Sequence, residues 1–335
     1  MRVDQGVKKE LAIVIVSYRG WARLLKCLES LDQLTGNDFS TEVIVVDNKS
    51  EDDRIRKFMA QFPRFRFVHN KVNGGFANGC NLGAESASGE FLLFLNPDTV
   101  VTDSALIELL TVAKQNPACT ILSCRQKNEK GKENVVSGSF PQFRNLTGLQ
   151  RVLFRQPQLR DEKISQQGSK LAADIEFPDW VSGSVLLIRK EAFLEIGGFD
   201  EDFWMYFEDV DLCKRVREAG GEVGLSNKIV IEHNHGGSSR VDLTTESITK
   251  TEVRISRHIY ISKHTSGFHR FGIQTFLMIS NFLSGALMAA VGLVFFFVPK
   301  LFGRTLIFMR LLKYYFGCAA HRSWISPRSV NSRCR

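Results

Sequence analysis

Glu208, Asp209 and Asp211 follow directly on an aromatic run that includes Phe203, Trp204, Tyr206 and Phe207. A carboxylate behind packed rings is poorly hydrated, and poor hydration raises its pKa toward the range in which it can take a proton from an alcohol. General-base chemistry is therefore open to this run. The same acids also suit the first turn of a helix continuing through Leu212, Val216 and Ala219, where they would complement the positive end of the helix dipole. A second candidate is Asn96-Pro97-Asp98, placed just beyond the apolar residues 91–95. Asp98 can ligate a hard divalent cation whose remaining positions go to water and substrate phosphates. The three residues are equally good turn formers. A third stretch, residues 73–83, carries Asn73, Gly74, Gly75, Gly79, Asn81 and Gly83 at the start of a helix-like segment. It can cradle phosphates or let a loop pack tightly against a sheet.

The elements that must position these residues alternate. Apolar runs of strand length at 11–16, 42–46, 65–69 and 91–95 are interleaved with helix-like segments at 22–31, 52–61, 77–86 and 103–116. That βαβα order predicts a mostly parallel sheet covered on both faces, with ligands at the carboxyl ends of its strands. Those ends carry Ser17-Tyr18, Asp47-Asn48-Lys49-Ser50 and Asn96-Pro97-Asp98, all polar after apolar runs. The turn after the first strand reads Ser17-Tyr18-Arg19-Gly20-Trp21, so the G-x-G-x-x-G fingerprint of a dinucleotide-binding dehydrogenase is absent, and no P-loop occurs. Residues 154–177 are polar, lack periodicity and read as a loop or mobile insertion.

The 335 residues suffice for one large or two ordinary domains, and 44% hydrophobic content supports a packed core. The formal net charge of +8 comes largely from residues 299–335, which hold Lys300, Arg304, Arg310, Lys313, Arg322, Arg328, Arg333 and Arg335 and no acid. That charge belongs to a tail beside an apolar segment, and nucleic acid is not an expected partner. The 7 cysteines are scattered without a C-x-x-C pair, which points to a reducing compartment and away from disulfides or zinc. The six apolar residues 11–16 are too few for a signal-peptide core. Residues 276–298 form an uncharged run of 23, long enough for a bilayer span, and 301–316 mix apolar residues with Arg304, Arg310 and Lys313 as interfacial helices do. A single span would carry the basic tail across the membrane, against the positive-inside tendency, so a hairpin or in-plane arrangement on the cytoplasmic face is expected. The alternative use of these helices is to bury each other or form a homo-oligomer interface.

Taken in order, Val45-Val46-Asp47-Asn48, the 73–83 stretch, Leu95-Asn96-Pro97-Asp98, Gly197-Gly198-Phe199-Asp200-Glu201 and Tyr206-Phe207-Glu208-Asp209-Val210-Asp211 resemble family 2 glycosyltransferases of the GT-A fold, and together the rhamnosyltransferase-like branch. The likeness covers about residues 10–240 and thins beyond. It implies a single Rossmann-like nucleotide-sugar-binding domain at 1–240. Residues 1–125 would form the nucleotide-sugar half and 126–240 the acceptor and catalytic half, followed by a helical, basic, membrane-associated region at 241–335. It further implies that Ser17, Tyr18, Asp47 and Asn48 hold base and ribose, that Asn73, Gly75, Asn81 and Asn96 shape the donor pocket, and that Asp98 binds Mg or Mn at the diphosphate.

Asn96 stands where many relatives have the first acid of a D-x-D motif, leaving the metal one carboxylate short. His233 or His235, after the acidic motif, would compensate, with His233 preferred. Asp209 becomes the base, Glu208 its understudy, and Asp211 a structural group that caps the helix or pairs with Arg215 at i,i+4. Trp180 and Gly183, before an apolar strand, would line the acceptor site, since sugars stack on aromatic faces; a core tryptophan is the alternative. The activity implied is inverting transfer of a sugar, L-rhamnose from dTDP-L-rhamnose, to a saccharide or lipid-linked acceptor in cell-surface polysaccharide synthesis. Two other readings stay open: a sugar-nucleotide nucleotidyltransferase, which should carry a basic glycine-rich loop that residues 19–23 only faintly suggest, and a non-catalytic membrane-bound scaffold that has lost the acid at position 96.

Overall fold

The computed structural model describes residues 9–34, 40–50, 53–142, 174–234 and 242–334. Strand β1 (Leu11–Ser17) and helix α1 (Trp21–Asp32) open an alternation that continues through β2 (Thr41–Asp47), α2 (Arg54–Gln61), β3 (Arg66–His69), α3 (Gly75–Ser86) and β4 (Phe91–Leu95). β1 and β4 are rich in Ile, Val, Leu and Phe and are buried almost throughout, as strands covered on both faces must be. Leu11, Ile13 and Ile15 join a core with Leu24, Leu28 and Leu109 on one face, while Ala12 and Val14 join Ala77, Cys80 and Ala84 on the other. The alternation is the period-2 pattern of a strand.

The order β3-β2-β1-β4 is parallel, with Ser17 beside Asp47 and Asp47 beside His69 in register. After β5 (Thr99–Val100), α4 (Asp103–Gln115), β6 (Cys119–Lys127), β7 (Ser137–Gly138), β8 (Ile175–Glu176) and β9 (Trp180–Val181), strand β10 (Val185–Arg189) enters the sheet between β4 and β6, antiparallel to both. The segment expected to be a loop through 177 thus contributes β8 to the sheet edge, where Ile175 pairs with Ser226; residues 143–173 lie outside the described residues. Helices α5 (Lys190–Glu195) and α6 (Glu208–Glu218) precede β11 (Glu222–His233), which runs parallel to β6 and pairs at its end with β5. Register sets His233 opposite Thr99, next to Asp98 in the chain. Two residues far apart in sequence therefore meet through strand pairing.

Three helices follow: α7 (Leu243–His264), α8 (Gly267–Val294) and α9 (Pro299–His321). The uncharged run at 276–298 is not one helix, because α8 ends at Val294 and Pro299 opens α9 after a turn through Phe295, Phe296 and Phe297. α8 and α9 pack as a close hairpin. A Cβ on Gly285 would lie 2.6 Å from the Phe308 ring and one on Gly292 2.4 Å from the Leu301 carbonyl, so only small residues permit the approach. The most apolar 18-residue stretch of α8 has a mean hydropathy of 1.9, and the helix turns Phe271, Ile279, Phe282, Leu283 and Leu287 outward.

The segment after α9 returns to the sheet-bearing half. Ser326 N–H donates to the Asp202 carbonyl (3.2 Å), Ser329 Oγ to the Glu201 carbonyl (2.6 Å) and Asn331 Nδ2 to Asp202 Oδ1 (2.8 Å). These bonds hold the tail on the same side of α8 and α9 as the sheet. A third apolar cluster joins Phe203 and Val210 to Ile255, Ile259, Leu277 and Leu311, tying the aromatic run to the helices.

Candidate active site

The strand ends converge on a cleft of about 350 Å³ whose walls include Tyr18, Asn48, Asn73, Asp98, Asp209 and His233. Gly75, Asn96, Gly183 and Glu208 line it as well. Three chain reversals at its rim adopt left-handed backbone at four non-glycine residues: Arg19 (φ 56°) after β1, Lys49 (φ 60°) after β2, and Tyr206 and Phe207 (φ 71° and 69°) before α6. Such conformations persist only where the surroundings impose them, and they gather at functional sites.

The floor is a polar network on β1, β2 and the loop before α3. Asp47 is buried, accepting from Ser50 N–H (3.0 Å) through Oδ1 and contacting His69 Nδ1 (3.0 Å) through Oδ2. Asn48 Nδ2 donates to the Gly75 carbonyl (2.9 Å) and to Asn73 Oδ1 (3.2 Å), while its Oδ1 accepts from Asn70 Nδ2 (2.9 Å). Asn48 thereby holds the glycine-rich loop open toward the cleft. Ser17 is buried beneath, its hydroxyl without a partner among the described residues.

The glycines divide their roles. Gly75 has φ 85°, and a Cβ there would fall 1.8 Å from the Trp204 carbonyl, which accepts from Phe76 N–H at 2.8 Å. Gly79 and Gly83 instead let α3 lie against Val16 and Val14 of β1. The stretch is therefore a tight turn followed by a close-packed helix. Asn81 faces away from the cleft, bonding the Phe199 carbonyl and Glu201 Oε1, both at 2.8 Å.

On the opposite wall Asp98 Oδ1 lies 3.1 Å from His233 Nε2, and its Oδ2 lies 3.3 Å from Arg23 Nη1. His233 is fully buried and its Nδ1 sits 2.6 Å from Gln126 Oε1, an acceptor that also takes the Ser184 hydroxyl (2.9 Å). With Gln126 Oε1 accepting at Nδ1, Nε2 is the ring nitrogen turned toward Asp98, where it could offer its lone pair to a cation set between the two. Asn96 Nδ2 reaches Nε2 only at 3.4 Å. One carboxylate and one imidazole nitrogen, the latter oriented by its second ring nitrogen, form a donor pair suited to a divalent cation. No group of three or more His, Cys, Asp or Glu collects among the described residues, so further ligands would have to come from substrate and water. His235 lies outside the described residues.

Asp209 stands at the start of α6, half-buried, accepting from Gly183 N–H (2.9 Å) and Val210 N–H (2.8 Å). Burial pushes its pKa up, against those hydrogen bonds. Glu208 is buried with Oε2 unpartnered among the described residues; burial first, then the charge of Asp209, drives its pKa well up. Of the two, Asp209 is the one whose carboxylate is fixed by backbone hydrogen bonds. Asp211 is 1% exposed and turns from the cleft to Arg215 Nε (2.8 Å) and His264 Nε2 (2.7 Å), which ties α6 to α7.

Trp180 does not reach the cleft: its Nε1 donates to the Ser139 carbonyl (3.1 Å) and its ring packs over Gly138. Gly183, three residues on, does reach it. Sequence reasoning missed Arg23, Trp204, Tyr206, Thr245, Ile248 and Arg328, all in the lining. Arg23 could have been found as a cation one turn into the helix after β1. The α7 and tail residues belong to no local pattern and enter only through helix packing.

Residues 12–169 match the family model described as glycosyl transferase family 2, and 164–236 match that of the N-terminal domain of galactosyltransferase. The N-acetylglucosaminyl-diphospho-decaprenol L-rhamnosyltransferase of Mycobacterium tuberculosis is 27% identical over 221 residues, 63% of this chain and 71% of that protein. Rhamnosyltransferase WbbL of Escherichia coli K12 is 27% identical over 217 residues, 62% and 77% of the two chains. The crystal structure of GalNAc-T7 with UDP, GalNAc and Mn2+ superposes with a TM-score of 0.53 at 16% identity, covering 75% of this chain and 48%, about half, of that one. The last likeness carries the GT-A fold alone.

Proposed function

The chain belongs to glycosyltransferase family 2 through residues 12–169, and from that premise we propose that it is an inverting rhamnosyltransferase acting at the cytoplasmic face of a membrane on a saccharide or lipid-linked acceptor. The observation that carries this reading is the Asp98–His233 pair, 3.1 Å apart, facing Asp209 across one cleft. The two named rhamnosyltransferases support the donor dTDP-L-rhamnose and a lipid-linked acceptor. The exposed apolar face of α8 and the basic α9 support membrane attachment.

A nucleoside diphosphate is a good leaving group once its charge is neutralised. Asp98 and His233 would hold the divalent ion that supplies this Lewis-acid neutralisation when bound. Asn48 and the Asn73–Gly75 turn offer amide groups to the nucleotide beside buried Asp47. Asp209, kept in place by Gly183 and Val210 N–H, takes the proton of the acceptor hydroxyl as that oxygen attacks the anomeric carbon. A single displacement with no covalent intermediate inverts that carbon. Burial raises the Glu208 pKa, which lessens the charge it sets against the diphosphate. Arg23 offsets the remaining carboxylate oxygen of Asp98.

Calorimetry with dTDP-L-rhamnose, with UDP-hexoses as comparators, tests the reading. Binding should need Mg or Mn, vanish in excess chelator, and weaken by about tenfold or more in Asp98→Ala. Tight binding of a UDP-sugar with none of the thymidine nucleotide would overturn the rhamnosyl assignment. Full binding in chelator would remove the metal.

A further inference from the structure

Behind the cleft lies a second cavity of about 750 Å³, sharing Tyr18, Asn73, Trp204, Ile248 and Arg328 with it. Its other walls come from α7, α9 and the returning tail. Lys49, Arg310, Lys313 and Arg328 line it, against one acid, Glu252. Burial, and after it the charge of Arg328, lowers the Arg310 pKa. Arg310 donates through Nε to Ser247 Oγ (3.2 Å) and has no carboxylate partner among the described residues. Arg328 stacks over the Trp204 ring, 5.4 Å from its centroid, and reaches Glu252 only at 3.8 Å. Burial pushes the Glu252 carboxyl up to about 7, so even this acid offers incomplete compensation. Two guanidinium groups lining one cavity, with an ammonium one turn along α9, supply the donors that phosphate oxygens accept.

The cations of this cavity sit on elements other than those that carry Asp98 and His233. The cavity also lies between the cleft that holds Asp209 and the helical hairpin whose outer face is apolar. We propose that it binds the phosphate or diphosphate of a lipid-linked acceptor, with Arg310, Lys313 and Arg328 as counter-ions, so that the acceptor's sugar enters the Asp209 cleft past Trp204 while its lipid follows the α8 face. This deepens the transferase reading and rests on it for the acceptor's role.

Farnesyl diphosphate, which carries the lipid and diphosphate but no sugar, is the probe, titrated into full-length protein in detergent. Wild type should bind it, and Arg310→Gln should weaken binding by about tenfold or more. Lys313→Gln, at an exposed side chain that threatens folding less, should act in the same direction. Binding unchanged in both variants overturns the proposal. So does mutual exclusion with dTDP-L-rhamnose on wild type, which would move the probe into the donor site. Inorganic pyrophosphate binding as tightly and with the same sensitivity makes this a free-phosphate site and overturns the lipid assignment. A wild type that binds farnesyl diphosphate in this Arg310-dependent way but no nucleotide sugar leaves the site standing and sinks the transferase reading.

Discussion

Asp209 and Glu208 are neighbours in sequence with different tasks, and hydrogen bonding separates them. Two backbone N–H groups stabilise the Asp209 carboxylate, whereas Glu208 Oε2 has none among the described residues. Asp209→Asn should lower turnover about a hundredfold or more while nearly sparing donor affinity, measured as kcat against binding by calorimetry, because the amide keeps the shape but cannot accept the proton. Since burial raises the Asp209 pKa, the acid limb of the wild-type rate profile should lie above the ordinary carboxylate range. Stability should move the opposite way. Glu208 holds its proton in the folded state after the unfolded chain has released it, so as pH rises above about 4.5 the unfolded form binds fewer protons and the fold loses stability up to the raised pKa. Glu208→Gln should flatten that fall in a series of melting curves. Motif spacing brought Asp98, Asp209 and His233 into view because each lies at the end of a strand or the start of a helix. It could not tell Asn81, which braces the 199–201 loop, from Asn48, which faces the cleft, since both are asparagines within the matched motifs and neither residue type shows which way its amide turns.

At the scale of elements, the glycine loop and the aromatic run are one device. Gly75 and Trp204 meet because Phe76 N–H bonds the Trp204 carbonyl, and the left-handed Tyr206–Phe207 turn then feeds α6 at the angle that carries Asp209 to Gly183. Gly75→Ala should cost about 1–3 kcal/mol in chemical denaturation and lose donor binding at the same time, because its Cβ meets backbone that cannot give. Loss of stability alone, with donor affinity intact, would dissociate the loop from the site. The parallel strands and their helices were legible from apolar runs of strand length, and the observed β1 to β4 and α1 to α4 follow that reading within one or two residues. The apolar strand after Gly183 was legible too, but not its antiparallel direction as β10, since four apolar residues and an arginine carry no sign of direction or partner. Nor could the run at 276–298 disclose its break, because Phe295, Phe296 and Phe297 are as apolar in a turn as in a helix.

At the scale of the whole molecule, the C-terminal helices are tied to the sheet-bearing half at several points, among them Asp211 with His264 of α7 and the tail on Asp202. Full-length protein should sediment with membranes and need detergent for release. High salt should loosen it by no more than about 1 kcal/mol for each basic side chain near the surface. Release by salt alone would assign the apolar face of α8 to an oligomer interface. A truncation near residue 265 keeps Asp98, His233 and Asp209 but removes Arg328 from the cleft wall, so donor affinity should fall even where the remainder folds. The tail contact has a further, kinetic side. Ser329 and Glu201 are 128 residues apart in the chain, with the entire hairpin between them. Contacts of such separation form late, after the loop they close has become compact. In refolding, helix content should therefore recover first and nucleotide-sugar binding last, with a delay that disappears when the Ser326–Ser329 anchor is removed along with its share of the affinity.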